Sequence, residues 1–155
     1  MFPPNISKKE LERSQTAIRN DIDNTIPDDL LPNAVRLAWF LQSLRDKIYI
    51  EYGEERAVNI SSGYRGEKLN DLIGGSITSA HPKALAADIN VHGMSPFELA
   101  KFVELNMVEE GFDQVIHEFG EWVHVGLTNG HPRSESLTAM RENGKTVYKT
   151  GLKEV

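Results

Sequence analysis

The chain has no cysteine. That absence excludes disulfides and thiolate metal sites, so any bound metal must rest on His, Asp or Glu. Positive charge is also scarce: 17 Lys and Arg stand against 23 Asp and Glu, for a formal net charge of −6. Nucleic-acid-binding proteins carry a basic stripe or patch. None is visible, so DNA and RNA are set aside, and the same balance argues against electrostatic adhesion to an anionic wall or membrane. No run reaches the roughly 18 consecutive apolar residues of a membrane helix. The opening "MFPPNISKKELERSQ" lacks the apolar core of a signal peptide. The expectation is a protein that is cytoplasmic as synthesised and does not insert into membranes. Repeats and low-complexity linkers are missing too. With 155 residues, 39% hydrophobic and 26% charged, the chain reads as one globular domain over 1–155. Within it, 1–30 is expected to form a helical arm and 132–155 a hairpin or tail. A monomer is the default.

The segments that are present alternate in period. Ser7 and Glu10 have the spacing of a capping box, which predicts a short first helix. Leu37, Leu41, Leu44 and Ile48 recur at helical spacing and predict a long helix from about Pro32 to Tyr52, ended by Gly53. Val58 and Ile60 alternate with polar residues, as in a strand, and "LNDLIGGS" reads as a turn-rich loop. Ala87–Val91 predicts a second strand. Ser95, Pro96 and Glu98 predict the start of another helix. "FDQVIHEF" and "EWVHVGL" flank Gly120 and predict a hairpin, and a second hairpin turns at Asn143-Gly144. Helices first and hairpins later give an α+β order: an antiparallel sheet with helices packed on one side.

Polar residues that this scheme leaves without a partner mark the chemistry. In "SAHPKALAADINVHG", His81 and Asp88 stand seven apart across a run of small residues. His124 lies inside the apolar strand "WVHVG", where a polar ring needs a partner. Two imidazoles and one carboxylate form a common catalytic zinc set, with a fourth position left for water. Each histidine taken alone is more simply a surface or satisfied polar group, and His92 and His131 keep that reading. Glu121 lies three residues before His124, on the opposite face of an ideal strand. To act as a base it must be bent toward the metal by the turn after Gly120; otherwise it is a solvated turn residue. "HEFGE" begins like the helical His-Glu-x-x-His zinc motif, but Glu121 occupies the place of the second histidine and the setting is strand-like. His117 and Glu118 are read as strand packing, with a place around the metal or facing substrate as the other reading. Arg65, after a strand and a glycine, is either a surface residue or a forked donor to a carboxylate or oxyanion.

Together, "SSGYR", "LN", "GGSITSAHPKALAADI" and "EWVHVGL" resemble the zinc D-alanyl-D-alanine carboxypeptidase family, which includes D-Ala-D-Ala dipeptidases and the L-alanyl-D-glutamate peptidases of phage endolysins. Its fold is shared with the Hedgehog signalling domain. The pattern Ser-x-His-x6-Asp followed by Glu-x-x-His is filled by Ser79, His81, Asp88, Glu121 and His124. The entry "ELERSQTAIRNDIDNTIP" and the tail "SLTAMRENGKTVYKTGL" also look like the phage- and bacterium-encoded branch. The resemblance implies one zinc ion per chain on His81, Asp88 and His124, with Glu121 as general base. It implies that Arg65 stabilises the oxyanion and that Ser79 orients substrate or a ligand. The implied activity is hydrolysis of peptide bonds in peptidoglycan stem peptides, as a D-Ala-D-Ala carboxypeptidase or an L-Ala-D-Glu endopeptidase, reaching the wall after release through a separate pore. A zinc-bearing binding module without catalysis and a phage accessory or structural protein are the alternatives. One departure is the spacer "PKALAAD", where the family is expected to carry glycine. Alanine replaces glycine without cost only where φ is negative.

Overall fold

A computed structural model describes residues 1–155. Five α-helices and six strands follow one another as α1 (Lys8–Glu12), α2 (Gln15–Arg19), α3 (Leu31–Tyr52), β1 (Val58–Ser62), α4 (Glu67–Leu72), β2 (Ala86–Val91), α5 (Pro96–Asn106), β3 (Gln114–Glu118), β4 (Trp122–Gly126), β5 (Glu135–Glu142) and β6 (Lys145–Thr150). The fold is α+β, with helices on one side of a six-stranded sheet of order β1-β2-β4-β3-β5-β6. All strand pairs are antiparallel except β3 and β5.

Local chemistry explains most element ends. Ser7 accepts from the Glu10 amide and Glu10 reaches back to the Ser7 amide, so the capping box of α1 is complete. The long helix α3 carries Pro32 in its first turn and ends at Gly53, which takes φ 73 and donates to the Tyr49 carbonyl. Ser95 caps α5 by accepting from the Glu98 amide at 3.1 Å. Asn143 and Gly144, both at positive φ, close the β5–β6 hairpin in two residues. Part of the expected loop "LNDLIGGS" is instead helical, as the end of α4, and α2 is a helix that the sequence pattern did not indicate. Both are under seven residues long, too short for a 3.6-residue period to be read.

The two faces of the sheet differ. Ala87, Ile89 and Val91 of β2, Val115 of β3, and Val123 and Val125 of β4 all face one side. They belong to one core cluster with Leu37, Leu41, Leu44 and Ile48 of α3 and Leu99 and Val103 of α5. Ile6, Leu11 and Ile26 join the same cluster, so residues from the 1–30 stretch contribute to the core. At one contact the backbones themselves meet: Tyr64 donates to the Leu11 carbonyl at 2.7 Å. A Cβ on the adjacent Gly63 would lie 2.7 Å from that same oxygen, so only glycine fits there. The alternate positions of the central strands, Asp88, Glu118, Trp122 and His124, face the other side, which no helix covers.

Candidate metal centre and its cleft

On the uncovered face lies a cleft of about 730 Å³, lined among others by Arg65, Ser79, His81, Asp88, Glu118 and His124. Asp88 and His124 are direct cross-strand partners on β2 and β4. His81 comes from a short 3₁₀ turn, His81–Lys83, that leads into β2. Donor atoms of His81, Asp88 and His124 all lie within 4.8 Å of one another. Asp88 Oδ1 is 3.0 Å from His124 Nδ1 and 3.4 Å from His81 Nε2. Around a tetrahedral zinc with bonds of about 2.0–2.2 Å, neighbouring ligand atoms stand roughly 3.4 Å apart. The cluster therefore has the donor types and nearly the spacing that zinc needs.

The backbone fixes one ring independently of any ion. His81 Nδ1 donates to the Gly63 carbonyl at 2.6 Å, which sets the tautomer and leaves Nε2 directed at Asp88. Ser79 Oγ accepts from the His81 amide at 3.2 Å. The turn ends at Ala84, buried and at φ 57, ψ 35. The spacer's alanine thus occupies the left-handed position where glycine was expected. The strain of about 1–2 kcal/mol that this implies is tolerated because Ala84 and Leu85 are locked by amides bonded to the carbonyls of His81 and Ala80.

Charge states follow from burial and pairing. Burial works to raise the Asp88 pKa, but hydrogen bonds from His124 and His81 outweigh it and hold the carboxyl well below the usual range. Burial opposes charging His124, yet the bond to Asp88 raises it, whereas burial dominates at His81 and lowers it. Arg65 is held by its backbone bond to the His81 carbonyl, and its buried Nε has no partner. Burial lowers its pKa, while Asp88 and Glu118 act in the opposite direction.

The structure places Glu118, and not Glu121, in the cleft lining. Phe119, Gly120 and Glu121 connect β3 to β4, with Phe119 at φ 58 and Gly120 at φ 70. The Glu121 amide closes on the Glu118 carbonyl at 2.9 Å. This tight loop leaves Glu121 exposed and outside the cleft lining instead of bending it toward the ligands. Glu118 pairs with Trp122, two residues from His124, and so shares the ligand face. Its carboxylate is 3.9 Å from His124 Nδ1. Burial raises its pKa, with Asp88 adding to the effect and His124 and Arg65 opposing it. The Trp122 indole N–H also favours the charged form, though it completes no hydrogen bond. That placement follows only once the hairpin register is known, since residues facing each other across a ladder share a face. His117 points to the other side: its ring lies 5.8 Å from that of Phe97 in α5, and its Nδ1 donates to the Lys153 carbonyl.

A model of the peptidase M15 family matches residues 4–126. No curated protein matches the chain. The matched stretch ends with β4, so β5 and β6, which supply Leu137, Arg141, Thr146 and Tyr148 to the cleft, lie beyond it.

Proposed function

The chain belongs to the peptidase M15 family, a zinc-dependent group, and from that membership we propose that it is a metallopeptidase acting on peptidoglycan stem peptides with Glu118 as its general base. The observation that carries the reading is the convergence of His81, Asp88 and His124 at the floor of an open cleft. Those three side chains hold the ion, one per chain. Zinc in that position supplies a Lewis acid and lowers the pKa of water to about 7. The chain's own residues do the rest. Glu118, on the ligand face and near His124, takes the proton from the attacking water and returns it to the leaving amine. Its partly buried carboxyl suits a group that must both accept and donate. Arg65 turns its buried guanidinium toward the oxyanion that forms at the scissile carbonyl. Ser79, in the cleft lining, orients substrate or a ligand and accepts from the His81 amide. The choice of stem peptides, at D-Ala-D-Ala or L-Ala-D-Glu bonds, rests on the resemblance of the Ser79–Asp88 segment.

The test is incubation of the zinc-loaded protein with purified muropeptides, read by mass. Cleavage is expected, with kcat falling about 10²–10⁴-fold in Glu118→Gln and staying near wild type in Glu121→Gln. The reverse ranking would return the role of base to Glu121. Tight binding without cleavage would favour the non-catalytic module, and failure to take up zinc would favour the accessory-protein reading.

A further inference from the structure

The β5–β6 hairpin adds a wall to the cleft from outside the stretch matched to the family. Its register shows how. Glu118 lies beside Ala139, and Ala139 lies beside Tyr148, so these three side chains form one row across β3, β5 and β6 on the ligand face. Ala139 is small and fully buried. Arg141 stands two residues further along β5 on the same face, about 7 Å from that row at the rise of an extended strand. A peptide lying along the sheet covers that distance in about two residues.

Arg141 is held without being neutralised. Its guanidinium lies over the Phe119 ring, 4.4 Å from the centroid. Phe119 in turn packs edge-on against Trp122 at 5.6 Å. Phe119 keeps this place at φ 58, a conformation costly for a bulky residue, and its amide is pinned to the Ala139 carbonyl at 3.0 Å. The other two arginines in the cleft are committed elsewhere. Arg133 forks onto Asp113 and also meets Glu135. Arg65 lies beside the metal ligands. The neighbouring acid of β5, Glu142, pairs with Lys149. Arg141 is thus a planar cation flattened on an aromatic ring at the cleft wall, with its fork free of protein carboxylates.

We propose that Arg141, seated on Phe119, binds a carboxylate of the peptide substrate one or two residues from the scissile bond and thereby sets a preference for acidic stem peptides. The inference rests on the proposed peptidase reading and specifies its substrate. The experiment uses the full zinc-loaded chain and a stem pentapeptide whose carboxylates are free or amidated one at a time. In the wild type, one free acid is expected to raise kcat/KM roughly tenfold or more over its amide, as a charge-assisted pair allows. Arg141→Gln is expected to erase that ratio through KM. Arg141→Lys, which keeps the charge but loses the fork and the stack, retains part of it. A ratio unchanged in Arg141→Gln, with an unchanged melting curve, overturns the proposal. If the wild type cleaves no peptide of the panel, the peptidase reading fails on its own. Calorimetric binding of the same peptides then decides the matter: acid tighter than amide in the wild type but not in Arg141→Gln upholds the site, and any other result, including no binding, rejects it.

Discussion

Asp88 and Ile89 are neighbours on β2, yet they belong to different regions of the molecule. Ile89 faces the helices and is completely buried among aliphatic side chains. Asp88 faces the cleft, where it holds two imidazoles. Strand alternation alone separates them. The helix-covered face is apolar and fills space, so it gives stability and little chemistry. The uncovered face gathers carboxylates and rings whose attraction is offset in large part by the cost of burying charge. One sheet therefore divides the two tasks between its sides.

Substitutions sharpen this division. The largest effect is expected from Asp88→Ala, which removes the central ligand: zinc uptake and peptidase activity should both vanish. Its metal-free form should lose less stability than Ile89→Ala, for which a cost of about 2–5 kcal/mol is expected. Denaturant melts of the two apo variants make the comparison, and equal losses would erase the distinction between the faces. Gly63→Ala should damage both sides at once. Its new Cβ would collide with the Leu11 carbonyl, and its own carbonyl anchors His81. A loss of about 1–3 kcal/mol should accompany roughly 10–100-fold weaker zinc binding; zinc titration with an intact melting curve and unchanged affinity would show that the two regions are not joined there. The smallest effect belongs to Ala84→Gly. Relief of left-handed strain, about 1–2 kcal/mol, is set against one lost buried methyl at about 0.8 kcal/mol and added freedom of the unfolded chain at about 0.4–1 kcal/mol. The melting temperature should barely move, and a large change in either direction would mean that Ala84 has another role.

The two faces also differed in how readily the sequence disclosed them. The helix-covered side was legible because its signals are periodic and local: the stripe of α3 and the cap of α5 at Ser95 each name their element. His81, Asp88 and His124 were legible as residues that those periods left without a partner. The choice between Glu118 and Glu121 was not, because it depends on how many residues leave the ladder between β3 and β4. Shifting that register by one position exchanges the faces. Arg141 was hidden for a related reason. Its neighbours in the cleft come from β3 and the loop beyond it, more than twenty positions earlier in the chain, and the parallel β3–β5 pairing that brings them together leaves no local trace in the sequence.

That parallel pairing keeps grip and floor on different strands. Because β5 and β6 are attached along the outer side of β3 and contribute none of His81, Asp88 and His124, they form a separate jaw of the cleft. A change of length or charge in such a jaw would alter what the cleft grips without touching the floor that His81, Asp88 and His124 form.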